Sequence, residues 1–91
     1  MVRIVKAIIR GRVQGVGYRY WAERAARSAG VSGTVRNRRD GSVELVVSGD
    51  DERVEALLAK CRAGPALAEV SDIEVTDTDW KGTGFAILPT A

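Results

Sequence analysis

GRVQGVGYR, residues 11 to 19, joins an apolar strand to a helix, and the arrangement of the rest of the chain follows from that connection. Residues 2 to 10 before it are dense in Val and Ile, which predicts a central strand covered on one side. After it, Tyr18 and four alanines recur at helical spacing as far as Ala29, and Gly30 ends the helix. The stretch therefore predicts a strand, a glycine-rich loop and a helix in direct succession.

A hairpin and a second helix follow along the chain. Residues 33 to 37 predict a short strand, and Asp40-Gly41 forms a turn before the apolar strand of residues 43 to 48. Asp50 is the predicted N-cap of the second helix, acids follow in its first turn, and Gly64-Pro65 ends it. The apolar residues of this helix recur at helical spacing: Val54, Leu57, Leu58 and Cys61.

The last part of the chain predicts one amphipathic strand and a possible short fifth strand. Ile73 and Val75 alternate with acids, and residues 85 to 88 follow a glycine turn. The order βαββαβ predicts a two-layer α+β sandwich of the ferredoxin-like type, with two helices on one face of an antiparallel sheet in the order 4-1-3-2. We expect residues 1 to 91 to form a single domain.

Composition excludes several kinds of chemistry. Cys61 is the only cysteine and the chain has no histidine, so an internal disulfide, a Cys/His zinc site and imidazole catalysis are excluded. No stretch has the length of a signal peptide core or of a bilayer span, so we expect a cytoplasmic protein without a membrane partner. Residues 1 to 39 carry ten basic residues and one acid, whereas residues 40 to 91 carry four basic residues and eleven acids. This asymmetry predicts a field that attracts small anions.

The glycine loop and the start of the first helix form a predicted phosphate-binding site. Glycines allow backbone conformations in which several N–H groups converge on one anion, and a helix N-terminus adds the positive end of its dipole. Arg19 supplies a planar, permanently charged guanidinium. In this topology the second strand ends at the same sheet edge, about 9–10 Å from the first. Asn37 can therefore address the same ligand as Arg19.

Each of these residues also has an ordinary structural interpretation. A glycine such as Gly15, taken singly, fits any strand-to-helix connection, and Asn37 alone fits hairpin turn chemistry equally well. An arginine such as Arg19 is unfavourable beside the positive end of a helix unless an anion is present. Cys61 lies among apolar residues, which indicates a buried thiol, and Leu67 stands where a Cys-x5-Arg phosphatase needs its arginine.

Three segments together resemble the acylphosphatase family: GRVQGVGYR at residues 11 to 19, GTVRNRRDGSVE at residues 33 to 44, and GPALAEV at residues 64 to 70. The similarity spans essentially the whole chain. It implies an enzyme that hydrolyses acyl phosphates, in which Arg19 binds the phosphate and Asn37 orients the attacking water. It also implies a phosphate cradle made of one run of residues: Gln14, Gly15, Val16, Gly17, Tyr18 and Arg19.

The resemblance implies a small-molecule acyl phosphate as substrate, with inorganic phosphate as product and inhibitor, and neither a cofactor nor a metal. A carboxylate leaving group needs little protonation, and Asp40 stands alone at this edge, so the residues fit a metal-independent reaction. We expect a monomer. Two positions depart from the family pattern: Tyr18 stands where Phe is usual, and Thr34 stands where Trp is frequent.

Two other functions compete with the enzyme. RNA-recognition modules share the βαββαβ order, but they stack bases on aromatic residues of the central strands, and residues 2 to 10 and 43 to 48 contain none. We therefore expect no nucleic-acid partner. The second alternative is a non-catalytic anion-binding domain, like the acylphosphatase-like domains inside larger maturation proteins. The short length of the chain favours the enzyme.

Overall fold

Seven elements follow one another in the computed structural model, which describes all residues from Met1 to Ala91. They are β1 (Val2–Arg12), α1 (Tyr18–Ala29), β2 (Ser32–Asn37), β3 (Val43–Asp50), α2 (Asp51–Ala63), β4 (Glu69–Asp77) and β5 (Phe85–Ile87). The five strands form one sheet in the order β4-β1-β3-β2-β5. The predicted ferredoxin-like α+β fold and its 4-1-3-2 order are therefore confirmed, and the fifth strand extends the sheet beyond β2.

Strand pairing places the ends of β1 and β2 at one edge of the sheet. β3 is antiparallel to both neighbours, so β1 and β2 run in the same direction. Ile9 of β1 and Asn37 of β2 both pair with Val43 of β3, one from each side. β5 is parallel to β2, with Gly33 opposite Phe85. Both the loop after β1 and the hairpin after β2 thus leave the sheet on the same side.

β1 is longer than the sequence predicts. The sequence predicts that this strand ends at residue 10, whereas pairing with β4 continues through Gly11 and Arg12. The register shifts between Arg10 and Gly11, which is a bulge, and Gly11 has φ 122° there. Pairing survives the bulge because glycine adopts this conformation without a steric cost.

The core lies between one face of the sheet and the two helices. Alternate residues of the central strands are buried, as the period of two in a strand requires: Val5, Ala7 and Ile9 in β1, and Val43, Leu45 and Val47 in β3. Helix α1 contributes Tyr18, Ala22 and Ala26 to a cluster of 17 buried residues. Its small side chains allow the helix to approach the sheet closely. Ala25 and Ala29, on the edge of this predicted stripe, are half-buried.

Helix α2 begins and ends where the sequence predicts, but its N-cap residue makes a different contact from the predicted one. Asp50 is the N-cap residue, yet its side chain makes no capping hydrogen bond, and its carboxylate lies 3.6 Å from the Met1 amino group. An ion pair with the N-terminus thus replaces the predicted cap. Gly64 follows the last helical residue with φ 66°. No helix combines the length and the apolar character that a bilayer crossing requires.

Candidate functional site

A cavity of about 230 Å³ opens at the N-terminus of α1. Its lining comes from the loop after β1, the first turn of α1 and the end of β2: Val13, Gly15, Gly17, Tyr18, Arg19, Tyr20 and Asn37. Pockets for drug-sized ligands occupy roughly 300–1,000 Å³. This cavity therefore suits a smaller molecule, of which a phosphoryl group would be a large part.

The conformation of the loop depends on two glycines. Gly15 and Gly17 have φ values of 74° and 79°, in the left-handed region that side chains other than glycine rarely adopt. A Cβ atom added at either position would meet nothing within 4 Å, so the requirement for glycine is conformational rather than spatial. Gly17 is also the N-cap residue of α1, and the first turn of this helix contains no acid. No carboxylate in the first turn of α1 therefore neutralises the positive end of the helix dipole.

Arg19 lies in the first turn of α1 and lines the cavity. It is half-buried and takes part in no ion pair and no side-chain hydrogen bond. Four other arginines do pair with carboxylates: Arg3, Arg10, Arg27 and Arg36. Arg19 thus combines a positive charge, a positive helix end and partial desolvation, an arrangement that favours a bound anion.

Asn37 reaches the same cavity from the end of β2. Its side-chain amide is half-buried and makes no hydrogen bond within the protein. The main-chain carbonyl oxygen of Asn37, by contrast, accepts a hydrogen bond from the N–H of Ala91 at 3.1 Å. The main chain is therefore held while the amide group remains available to a ligand or a water.

Gln14 and Val16, which the family resemblance also places in the cradle, do not line the cavity. The side chain of Gln14 points to the hairpin between β2 and β3, where Nε2 donates to the carbonyls of Arg38 at 2.7 Å and Ser42 at 2.8 Å. Val16 is half-buried against the core. Gln14 thus joins the loop to the segment that follows Asn37, a contact that no local pattern indicates.

The hairpin has its own internal support. The Oδ1 atom of Asp40 accepts hydrogen bonds from the backbone N–H and the hydroxyl of Ser42, at 2.9 and 2.6 Å. Both bonds lower the pKa of Asp40, and the bond from the Ser42 hydroxyl has the larger effect. This local network shapes the turn that carries the two carbonyls accepting from Gln14.

Tyr18, one of the two departures from the family pattern, has a structural explanation. Its ring is buried, and its hydroxyl donates to the carbonyl of Cys61 at 2.6 Å. In a continuing helix that carbonyl would accept from the N–H of residue 65, but Pro65 has none. The tyrosine hydroxyl therefore satisfies a carbonyl that the helix leaves unpaired. Burial raises the pKa of the Tyr18 hydroxyl, so it remains a donor.

Cys61 is a buried free thiol, as the sequence predicts. Burial raises its pKa to about 11, so the thiolate that a nucleophile needs is scarce at neutral pH. The sequence did not indicate two residues of the cavity lining, Val13 and Tyr20. Val13 is a buried residue of the loop. Tyr20 directly follows Arg19 in the sequence, and this position is the signal that could have identified it as a lining residue.

The assembled groups are a guanidinium, a neutral amide and main-chain N–H groups at a helix N-terminus. No group of three or more His, Cys, Asp or Glu residues has the arrangement of a metal site. Hydrogen-bond donors dominate this set, which suits an anion with several oxygens.

A family model described as acylphosphatase matches residues 5–87. The chain belongs to the acylphosphatase family. An acylphosphatase of Azorhizobium caulinodans is 50% identical over 92 residues, covering 99% of each chain. The crystal structure of the Bacillus subtilis acylphosphatase matches with a TM-score of 0.91 at 33% identity, over 97% of this chain and 99% of that one. The expected family is thereby confirmed, and this acylphosphatase is an enzyme whose family implies a small acyl phosphate as substrate.

A second kind of relative is a domain within a larger protein. Full-length HypF, in a phosphate- and nucleotide-bound crystal structure, matches this acylphosphatase with a TM-score of 0.91 at 25% identity. The match covers 99% of this chain but 12% of HypF. The same fold therefore exists both alone and within a much longer chain.

Proposed function

We propose that this acylphosphatase cleaves a carboxyl-phosphate anhydride by direct attack of water, with the phosphoryl group held by Arg19 and the main-chain N–H groups of the glycine loop. The observation that carries the proposal is that Arg19, which has no protein partner, and Asn37, whose amide is free, line one cavity at a helix N-terminus. The family supports the substrate class.

Arg19 supplies most of the charge in this proposal. A transferred phosphoryl group passes through a loose transition state in which negative charge is spread over three oxygens. A guanidinium donates two parallel hydrogen bonds to such oxygens, and the N–H groups at Gly15 and Gly17 reach others. Because the loop N–H groups belong to the backbone between β1 and α1, they are in place before the substrate binds and stabilise the transition state with little reorganisation.

Asn37 positions the nucleophile. Its amide oxygen accepts a hydrogen bond from the attacking water, which holds the water oxygen opposite the leaving oxygen. The new bond joins the water oxygen to phosphorus, and the bond between phosphorus and the acyl oxygen breaks. The electron pair leaves on a carboxylate whose conjugate acid has a pKa of about 4, so no general acid is required. One proton of the water stays on the attacking oxygen, and the other passes to another oxygen of the phosphate product or to solvent.

The experiment is hydrolysis of benzoyl phosphate by the wild type and variants, with a chelator present throughout. We expect the wild type to be active and Arg19→Ala to lower kcat/KM by about 10³ or more, the scale that a single arginine contributes in phosphoryl transfer. Arg24→Ala is the matched control, because Arg24 is exposed on the same helix and outside the cavity. Wild-type activity that disappears with the chelator and returns with a divalent metal contradicts metal independence.

The variant Asn37→Ala separates catalysis from binding. We expect a large fall in kcat with inhibition by inorganic phosphate nearly unchanged, because phosphate occupies the part of the site held by Arg19. Loss of phosphate inhibition in Asn37→Ala would assign Asn37 to binding instead. Inhibition by phosphate in the wild type is itself part of the proposal.

The remaining expectations concern the setting of the enzyme. We expect a monomer, supported by the small number of exposed large apolar residues: Met1, Val2, Tyr20 and Leu67. Light scattering during gel filtration measures this directly. A cytoplasmic location is also expected, and fractionation of the source cells tests it. A non-catalytic anion-binding role, suggested by the HypF match, predicts phosphate binding without turnover of any acyl phosphate.

A further inference from the structure

Tyr20 is an aromatic residue exposed at the cavity. It is 65% exposed and lines the cavity together with Arg19 and Asn37. The other aromatic residues are covered to a greater degree, since Tyr18 and Phe85 are buried and the two tryptophans are half-buried. Single exposed apolar residues are ordinary on protein surfaces. Tyr20, however, lies in the same cavity as the groups proposed to bind the phosphoryl group, which suggests a contact with the rest of the substrate.

The helix directs the Tyr20 ring toward the site. Side chains on an α-helix lean toward its N-terminus, and Tyr20 lies in the first turn of α1, so its ring leans over the end at which the glycine loop arrives. Trp21, its neighbour, packs instead on Tyr18, with ring centroids 5.4 Å apart. The Tyr20 hydroxyl takes part in no hydrogen bond within the protein. Neither the core nor a polar network therefore accounts for the ring.

The lining of the cavity divides into two kinds of surface. Arg19, Asn37 and the loop glycines form the polar part of the lining, where the proposed function places the phosphoryl group and the attacking water. The apolar lining consists of Val13, Tyr18 and Tyr20, and the first two are buried. Tyr20 consequently presents most of the apolar surface that a substrate group outside the phosphate cradle can contact.

We propose that Tyr20 is a specificity-determining residue whose ring contacts the acyl group, so that the enzyme favours aromatic acyl phosphates over short aliphatic ones. This inference rests on the proposed function, because it assumes that the phosphoryl group lies against Arg19. Planar acyl groups gain an offset or edge-on aromatic contact with the ring, whereas an acetyl group is too small to cover it. The free hydroxyl remains directed to solvent, as an amphipathic side chain at a rim allows.

The experiment compares benzoyl phosphate with acetyl phosphate in three proteins: the wild type, Tyr20→Ala and Tyr20→Phe. An aromatic contact of ordinary strength corresponds to about two- to tenfold in kcat/KM. We expect Tyr20→Ala to lose about this factor on benzoyl phosphate, mainly through KM, and to change little on acetyl phosphate. Tyr20→Phe keeps the ring and is expected to keep the wild-type ratio. Leu67→Ala, a control at an exposed apolar residue away from the cavity, is expected to change neither substrate.

The controls separate this contact from a structural role. Inhibition by inorganic phosphate is expected to be the same in all variants, because phosphate has no acyl group. An equal loss on both substrates in Tyr20→Ala, or a change in phosphate inhibition, assigns Tyr20 to the support of Arg19 and overturns the inference. If Tyr20→Ala keeps the wild-type ratio of kcat/KM for benzoyl phosphate to kcat/KM for acetyl phosphate, the inference is overturned as well. In either case the proposed function still holds as long as the wild type hydrolyses these substrates. A wild type that hydrolyses neither substrate overturns both.

Discussion

The main-chain N–H of Ala91 donates a hydrogen bond to the carbonyl of Asn37 at 3.1 Å, and the carbonyl of Ala91 accepts one from Arg39 at the same distance. These bonds continue the parallel pairing of β5 with β2, which also includes a bond from Leu88 to Val35 at 2.9 Å. The backbone that carries Asn37 is therefore fixed from both sides, by Val43 in β3 and by the residues after β5.

Replacing Ala91 by proline tests whether this support reaches catalysis. Ala91→Pro removes the N–H that donates to Asn37, whereas Ala91→Ser retains it. A hydrogen bond contributes about 0.5–1.5 kcal/mol, so we expect kcat to fall by up to about tenfold in Ala91→Pro. KM and inhibition by phosphate are expected to stay close to wild type, because Arg19 is not disturbed. Steady-state kinetics measure this, and a kcat equal to that of Ala91→Ser contradicts it.

Gln14 holds the loop against the hairpin, so its replacement is expected to affect stability. Gln14→Met has a similar length but no donor, so it removes the hydrogen bonds to the carbonyls of Arg38 and Ser42, although each carbonyl still accepts one backbone hydrogen bond. We expect the free energy of unfolding to fall by about 1–3 kcal/mol, because two hydrogen bonds of about 0.5–1.5 kcal/mol each are lost. Urea unfolding at constant m-value measures the change. If Gln14 instead binds phosphate directly, phosphate inhibition weakens while stability is kept.

Elements and contacts differ in how far the sequence predicts them. Helix α1 and the βαββαβ order follow from the spacing of apolar residues and from turn residues, which act locally, and both are confirmed. The convergence of the glycine loop and Asn37 follows from topology, because strands that run in parallel end at one edge. The roles of Arg19 and Asn37 stay predictions.

Long-range hydrogen bonds lie outside what the sequence reveals. Gln14 contacts residues 24 and 28 positions away, and Tyr18 contacts a residue 43 positions away. No periodicity encodes such pairs, since each depends on how two elements pack. The ion pair of Asp50 with the N-terminus is similar, because local propensity predicted a cap and a tertiary neighbour took its place.

Removal of the Tyr18 hydroxyl tests the link between the two helices. Tyr18→Phe leaves the Cys61 carbonyl buried and unpaired, because Pro65 cannot donate to it. We expect the free energy of unfolding to fall by about 1–3 kcal/mol. Tyr20→Phe is the matched control, since that hydroxyl is exposed and unbonded, and its effect is expected to be within about 0.5 kcal/mol. Equal effects of the two substitutions would show that the hydrogen bond to Cys61 contributes nothing.

Alkaline pH is expected to destabilise the fold through Cys61. Burial raises the pKa of its thiol from 9.0 to about 11, so between these values the unfolded chain releases a proton that the folded chain retains. The unfolded state then binds fewer protons, and stability, complete below pH 9, decreases as the pH rises through about 11, at up to about 1.4 kcal/mol per pH unit. Cys61→Ala is expected to be less stable at pH 7 because of the cavity it creates, but to lose stability less steeply above pH 9. Besides burial, Cys61 also contributes to the raised pKa of Tyr18, so the difference between the unfolding curves of the two proteins reports Cys61 together with its interaction with Tyr18. If the free energies of unfolding of wild type and Cys61→Ala change in parallel from pH 7 to 11, the thiol has the same pKa in the folded and the unfolded chain, which contradicts the prediction.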